Sequence, residues 1–535
     1  MEEEKSVVIL AAGKINQKLS FVKPLFSNPG LLPINSHSTL YYIISFYAKI
    51  KNVRIYIVTD ENGISELKKE PYLDTKLIEF IVLKQSNGVV HSLEQAIKRI
   101  KVNTSIIVNV VTTIPNVFLK KNQVFLNTTK ETHKQYYSLI NIDNLQNVKF
   151  INKYDDILIQ EGNAFTGIFH ADINEMRNAC KKLKNKTDLL DVVKLLHKNI
   201  QLNYVLQDWN DIGHEINYFK TRKKLITSRA INNFQYESGM LIKESKSDEK
   251  LFQESDYIKH LPFDLQIYFP RVFHYEKTKS QTSKVYMEYY PFPNLSEYQL
   301  FWDIDNFEWS KVYDMLKEIL TKFKKVKHSF GYHAFEDFMY NKTKDRIKEF
   351  AHQSKNKYLF NDTLYINGNE YANWNLISEK VKDRIRSLYN EDDFCIVHGD
   401  FCFNNILYDR IGENIKLIDV RGNYGTSLPG IYGDFKYDLA KLMHSSSFHY
   451  DYIVNNLYTV TANKNHFEYK FIYRNNFEHI KQLGNNLIND FKYTVKDIQF
   501  IVGLLFVSMC PFHYDDTNRQ TVMYLQGIQI LNNNL

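Results

Sequence analysis

The sequence predicts an α/β domain followed by an α+β domain. Three observations carry this. Apolar strand-like runs alternate with helix-period segments from residue 6 to about residue 225. Short strands of antiparallel character follow, and from about residue 305 helical periodicity dominates. At 535 residues the chain is also too long for one ordinary core.

Residues 6–12 are an apolar strand that turns at Gly13. Tyr41 to Ile50 has helical periodicity, and Val53 to Thr59 is a second strand. Phe80 to Lys84, a helix over Ser92 to Ile100, and a strand over Ser105 to Val111 continue the alternation. Such alternation implies a mostly parallel sheet with flanking helices. Gly239 to Glu244, Val272 to Tyr275 and Lys284 to Glu288 then read as antiparallel strands, with a helix over Glu249 to His260 between them. Trp309 to Val326 and Ala334 to His352 are helices, and a strand–loop–strand surrounds His398. The expected domains are 1–232, 233–300 and 301–535.

Composition bounds the function. Hydrophobic residues make up 44% and charged residues 24%, as in a soluble globular protein. The net charge of +7 is spread without a basic stripe, so nucleic acid is not the expected partner. Four cysteines without metal-ligand spacing predict a reduced, cytoplasmic setting. Acidic residues at positions 2–4 argue against a secretory signal. The longest apolar run, Phe500 to Phe512, is too short to span a bilayer and predicts a buried helix. The last residues, Leu531 to Leu535, are expected to fray.

The chemistry concentrates in His398-Gly399-Asp400-Phe401-Cys402-Phe403-Asn404-Asn405 and in Ile418-Asp419. Phosphoryl transfer requires mainly positioning and charge neutralisation. Asp400, in a loop after an apolar strand, is placed to accept a proton from a substrate hydroxyl. Asn405 and Asp419 are placed to hold the Mg2+ that bridges ATP phosphates. A polar turn over Asp409 to Asn414 predicts a hairpin that brings the three together.

On these motifs the chain resembles the aminoglycoside phosphotransferase and choline kinase family. The resemblance implies a two-lobed, protein-kinase-like fold over about residues 230–535. It implies ATP and magnesium as co-substrates and a small hydroxyl compound as acceptor. Asp438 then matches an aspartate that anchors the catalytic loop, and His398 braces that loop. The family's nucleotide lysine and its glutamate fall on Lys243 and Glu254, with Lys246 the competing lysine. Glu288 and Tyr289, in Met287-Glu288-Tyr289-Tyr290, are candidates for the adenine hinge, a core strand end being the other reading. Trp309, Trp374, Tyr424 and His444 are candidates for acceptor contact or for core.

The first half resembles a sugar-nucleotidyltransferase domain. The matching pieces, in order, are Val7 to Gly13, Leu31 to Asn35, Asn87 to Leu93, Phe165 to Phe169 and Trp209 to Gly213. Its chemistry is incomplete. Gly13-Lys14-Ile15-Asn16-Gln17 lacks the family's second glycine and arginine. Pro29-Gly30 stands where a Pro-Lys is expected, and Thr112 where the first metal aspartate is expected. Asp211 is retained as the second metal position. The expectation is a degenerate domain kept for binding or scaffolding. Lys14 or Lys23 would stand in for the missing cations if it were active.

The leading expectation is an ATP-dependent phosphotransferase acting on a hydroxyl of a sugar, polyol or amino alcohol. The pairing of domains resembles enzymes of surface-glycan or capsule polysaccharide biosynthesis. One alternative is a bifunctional kinase/nucleotidyltransferase that uses a second NTP such as CTP. The other is a non-catalytic protein that binds nucleotides or sugars.

Overall fold

The apolar run Lys5–Leu10 forms β1, whose Val7, Val8 and Ile9 are wholly buried. A strand so enclosed belongs at the centre of a covered parallel sheet. In the computed structural model, which describes residues 5–16, 19, 22, 24–101, 105–131, 136–144, 147–155, 161–183, 188–226, 232–246, 248–278, 282–424, 430–474 and 477–535, that is where it lies. The chain divides into two compact units, Met1–Leu225 and Ile226–Leu535. Gln17, Lys23 and the stretch around the expected boundary at 230 fall outside the described residues.

In the first unit α1 (Thr39–Tyr47) leads to β2 (Val53–Asp60) and β3 (Ile78–Leu83), and α2 (Val89–Arg99) to β4 (Ser105–Val110). β5 (Gln123–Glu131), β6 (Leu139–Ile142), β7 (Val148–Ile151) and β8 (Gly162–Asp172) follow. Then come α3 (Ile173–Lys182), α4 (Leu189–Asn199), β9 (Asn203–Gln207) and α5 (Glu215–Lys224). The sheet runs in the order β7-β6-β8-β4-β1-β2-β3, with β5 on β8 and β9 on β5. β4, β1, β2 and β3 are parallel, with Val8 opposite Val108 and Ile57 opposite Phe80. β8 reverses direction against β4. The sheet is therefore parallel at its centre and antiparallel on one side. Val90, Leu93 and Ile97 of α2, Met176 of α3 and Val193 and Leu196 of α4 close the core over it.

The second unit opens with the antiparallel sheet β10-β11-β13-β12, built from β10 (Asn232–Glu237), β11 (Met240–Ser245), β12 (Val272–Lys277) and β13 (Ser283–Glu288). A turn with positive φ at Ser238 and Gly239 joins the first two strands. α6 (Asp248–His260) lays Leu251 against Val285 and Met287 of this sheet.

Helices then take over. α7 (Asn306–Lys325) is capped by Asp305, which accepts from the Glu308 amide. A π-helical turn over Asp337–Asn341 precedes α8 (Lys342–Gln353), so the expected continuous helix is interrupted. β14 (Thr363–Ile366), β15 (Asn369–Ala372) and α9 (Trp374–Leu388) come next. β16 (Phe394–Ile396), the hairpin β17 (Ile406–Asp409) and β18 (Asn414–Leu417), and β19 (Tyr432–Asp434) frame the His398 segment. α10 (Phe435–Ser446) leads to β20 (Tyr458–Asn463), β21 (His466–Phe471), α11 (Phe477–Asp490), α12 (Val495–Met509) and α13 (Thr517–Asn534).

Two expectations are corrected here. A sheet in the order β15-β14-β21-β20 lies among helices where only helices and the central loop were expected. The chain end does not fray. Asn532 exchanges hydrogen bonds with the Ala372 backbone, and Asn534 is buried. The segment Val495–His513 is long and apolar enough to cross a membrane, but 67% of it is buried inside the structure.

Candidate active site

β11 points Lys243 inward, where it is 2% exposed. Its ammonium donates to Glu254 Oε2 on α6 at 2.6 Å and to Asp419 Oδ1 at 2.6 Å. Burial opposes the charge, yet the two carboxylates outweigh it and hold the amine above its usual range. A buried cation between two acids is stable as a unit and costly to break. Lys246 has no part in this arrangement.

The β17–β18 hairpin sets Ile406 opposite Leu417, and the Ile418 amide extends the ladder by donating to the Asn405 carbonyl at 3.0 Å. Asp419 is thus placed directly after the residue paired with Asn405. It takes a left-handed conformation, φ 58°, which aspartate tolerates better than most residues. Asn405 Nδ2 donates to the Asp400 carbonyl at 3.0 Å and to Asp400 Oδ2 at 2.9 Å. That engagement leaves the amide oxygen as the atom able to ligate.

Asp400 has a second partner that the sequence reasoning missed. Lys441, one turn after Asp438 on α10, places its ammonium 2.8 Å from Asp400 Oδ1. Burial would raise the Asp400 pKa, but Lys441 holds it well below the usual carboxylate range. The signal was present in Asp438-Leu439-Ala440-Lys441, since positions three apart share a helix face.

The loop itself is braced from below. Asp438 accepts from the His398 amide at 2.6 Å and the Gly399 amide at 2.8 Å. His398 Nδ1 accepts from the Asp400 amide at 3.2 Å, and burial pushes the imidazole down to about 4. His398 is therefore neutral and structural at physiological pH. Gly399 has φ 78°, and a Cβ there would lie 2.6 Å from Arg421 Cβ.

Asp419 and Asn405 offer one carboxylate and one amide oxygen. Among the described residues no group of three His, Cys, Asp or Glu side chains converges to hold a metal alone. Hard oxygen donors in so small a number fit magnesium, which takes one or two carboxylates and completes its shell with water and phosphate.

The remaining expected residues lie elsewhere. Glu288 ends β13, its carboxylate accepting from the Arg271 amide at 3.1 Å and from Tyr290 Oη at 2.6 Å. Its own amide donates to the Arg271 carbonyl at 3.0 Å. Tyr289 stands edge-on to Tyr236 at 5.1 Å. Trp309, Trp374, Tyr424 and His444 are all buried and belong to the core. Tyr424 stacks on Phe338 at 3.8 Å, and His444 on Tyr450 at 4.0 Å.

In the first unit Asp211 pairs with Thr113 across a two-residue ladder, and the Ile212 amide donates to the Thr112 carbonyl. Its carboxylate is taken up by protein donors. Gly213 N donates to Oδ1 at 2.8 Å, while His214 Nδ1, Asn217 Nδ2 and Tyr137 Oη lie 2.8, 3.0 and 3.0 Å from Oδ2. Thr112, at the end of β4, supplies no second carboxylate.

No family model matches the chain, and no curated protein matches it. Solved structures similar to it include a Bacillus anthracis protein in complex with sucrose, described as a glucose-1-phosphate thymidylyltransferase. The identity is 16%, over 42% of this chain and 97% of that one, with a TM-score of 0.36. HddC from Yersinia pseudotuberculosis is similar at 18% identity over 41% of this chain and 99% of its own, TM-score 0.33. An apo UDP-glucose pyrophosphorylase is similar at 14% identity over 42% and 98%, TM-score 0.35. These likenesses span about two-fifths of the chain, and they bring no substrate with them.

Proposed function

We propose that the chain is an ATP-dependent phosphotransferase whose acceptor is a hydroxyl of a small molecule. The observation that supports it most is the assembly around Lys243. One buried ammonium bridges Glu254 and Asp419, and Asp419 follows directly on the residue paired with Asn405, whose amide holds Asp400.

In this reading Lys243 steadies the nucleotide phosphates and Glu254 holds Lys243. Asp419 and Asn405 would hold magnesium, which when bound neutralises charge on the phosphates. Asp400, kept ionised by Lys441, accepts the hydrogen bond of the acceptor hydroxyl and aligns its oxygen. The acceptor oxygen bonds to the γ-phosphorus as the bond from that phosphorus to the bridging oxygen of ADP breaks. The hydroxyl proton passes to Asp400. A carboxylate with so low a pKa orients first and takes the proton late.

The test is acceptor-dependent ADP release across a panel of sugars, polyols, amino alcohols, sugar acids and sugar phosphates. The reading expects release with the native chain and a loss of at least about a thousandfold in Asp400→Asn. Equal release by the variant sinks it.

A second reading gives the first unit a nucleotidyl-transfer role with CTP or another NTP. The strand order favours it, because the chain leaves β1 for β2 on one side and leaves β4 for β5 and β8 on the other, and open α/β sheets bind ligands at such a junction. Asp211 is its candidate metal residue, and His214, Tyr137 and Asn217 would have to release it. Pyrophosphate release that Asp211→Asn abolishes would establish this reading, and no release with any NTP would remove it.

A further inference from the structure

Beside Asp400 lies a group of cations that the transfer step does not use. Lys342 opens α8, directly after the π-helical turn, and π-turns recur where a helix is deformed to serve a site. Its ammonium sits 3.3 Å from the Phe338 ring centre and 5.3 Å from that of Tyr437. Arg421, two residues after Asp419, shares both rings, at 5.1 and 5.6 Å, and donates to Tyr437 Oη at 2.8 Å. Arg346 follows one helical turn after Lys342 and lies 4.5 Å from the Phe512 ring. All three are half-buried.

Among the described residues neither Lys342 nor Arg346 has an acidic group within ion-pair distance, and the pulls of Asp337 on the one and Glu349 on the other do not offset their burial and like charges. Arg421 feels the Asp400 carboxylate, whose direct ion pair is with Lys441. Burial, then the like charges of Arg421, Arg346 and Lys441, depress Lys342 well below an ordinary amine. Burial and Arg421 bring Arg346 down to about 10. Converging cations repel one another, and aromatic faces offset only part of that cost. An oxyanion among them would relieve it.

We propose that the phosphoryl acceptor itself carries an oxyanion, a phosphate or a carboxylate, seated on Lys342, Arg346 and Arg421 with its hydroxyl turned to Asp400. This rests on the phosphotransferase reading and narrows it. Acidic sugars and sugar phosphates complement the charge of these residues, and choline, ethanolamine and amino sugars are repelled by it.

Matched acceptors test this: glucose, glucosamine, glucuronate, glucose 6-phosphate and choline, with the native chain, Lys342→Met and Arg346→Met. Each variant is compared at equal ionic strength. Thermal stabilisation by inorganic phosphate, against chloride, reports anion binding without turnover. The proposal expects turnover on glucuronate or glucose 6-phosphate, with the KM for that acceptor raised about tenfold or more in each variant and the KM for ATP unchanged. It also expects phosphate stabilisation to be lost in both. The two anions separate a carboxylate acceptor from a phosphate one. Turnover confined to glucose, glucosamine or choline, with KM indifferent to both substitutions, overturns this proposal and leaves the phosphotransferase standing. A rise in the KM for ATP alone also overturns it, by assigning the cations to the nucleotide. Turnover on no acceptor overturns both readings, and phosphate binding would then mark an anion site only.

Discussion

Lys441 Nζ stands 2.8 Å from Asp400 Oδ1, and this contact holds the half-buried carboxylate in its charged form. Lys441→Met removes the cation and lets the Asp400 pKa rise. The acid limb of kcat/KM then moves to higher pH, and kcat falls about tenfold to a hundredfold. Lys441→Arg restores most of the profile. A pH–rate series on the three forms checks it, and a profile unmoved by Lys441→Met is the contrary result.

Lys243 bridges Glu254 and Asp419, 2.6 Å from each carboxylate. Lys243→Met therefore leaves Glu254 buried without its counter-charge and costs about 3 kcal/mol of unfolding free energy. Adding Glu254→Leu removes the stranded acid and recovers more than half of that loss. Urea denaturation of the single and double variants measures the difference. Nucleotide binding stays weak in both.

His398 gives a pH dependence with a definite sign. Its folded pKa is about 4 against an ordinary 6.5. Between those values the unfolded chain takes up a proton that the folded chain refuses, so stability falls as pH drops through that window. The loss reaches about 3 kcal/mol below it. The stability difference between the native chain and His398→Asn should shrink from pH 7 to pH 4. A constant difference contradicts this.

Gly422 has φ 71°, and a Cβ there would lie 2.6 Å from the Gln253 carbonyl oxygen. Gly422→Ala meets both a strained backbone and rigid main chain, so α6 must shift next to Glu254. The expected result is a loss of about 1–3 kcal/mol together with a raised KM for ATP. An unchanged KM would show that α6 tolerates the displacement.

The sequence made some of this legible and hid the rest for physical reasons. The strand over Val53 to Thr59 and the helix over Glu249 to His260 match β2 and α6 closely, because long apolar periodicity reports burial directly. The sheet of β14, β15, β20 and β21 was missed. Its strands are short and alternate polar with apolar, and the Asn367-Gly368 turn, with φ 50° and 81°, was its one strong signal. Asp400, Asn405 and Asp419 stand out because their spacing is local. Lys441 was readable only through its place three residues after Asp438, and Lys342 comes from a distant helix that only the fold brings near. The Asn-rich terminus read as frayed because composition says nothing of the Ala372 backbone that receives Asn532.

The Lys243–Glu254 contact is closed at 2.6 Å, with α6 held between its sheet and the loop that carries Gly422. On the phosphotransferase reading this is the pair that signalling kinases make and break by moving the equivalent helix. The closed pair therefore rests on packing: whatever pushes Gly422 away from Gln253 also moves the helix that carries Glu254.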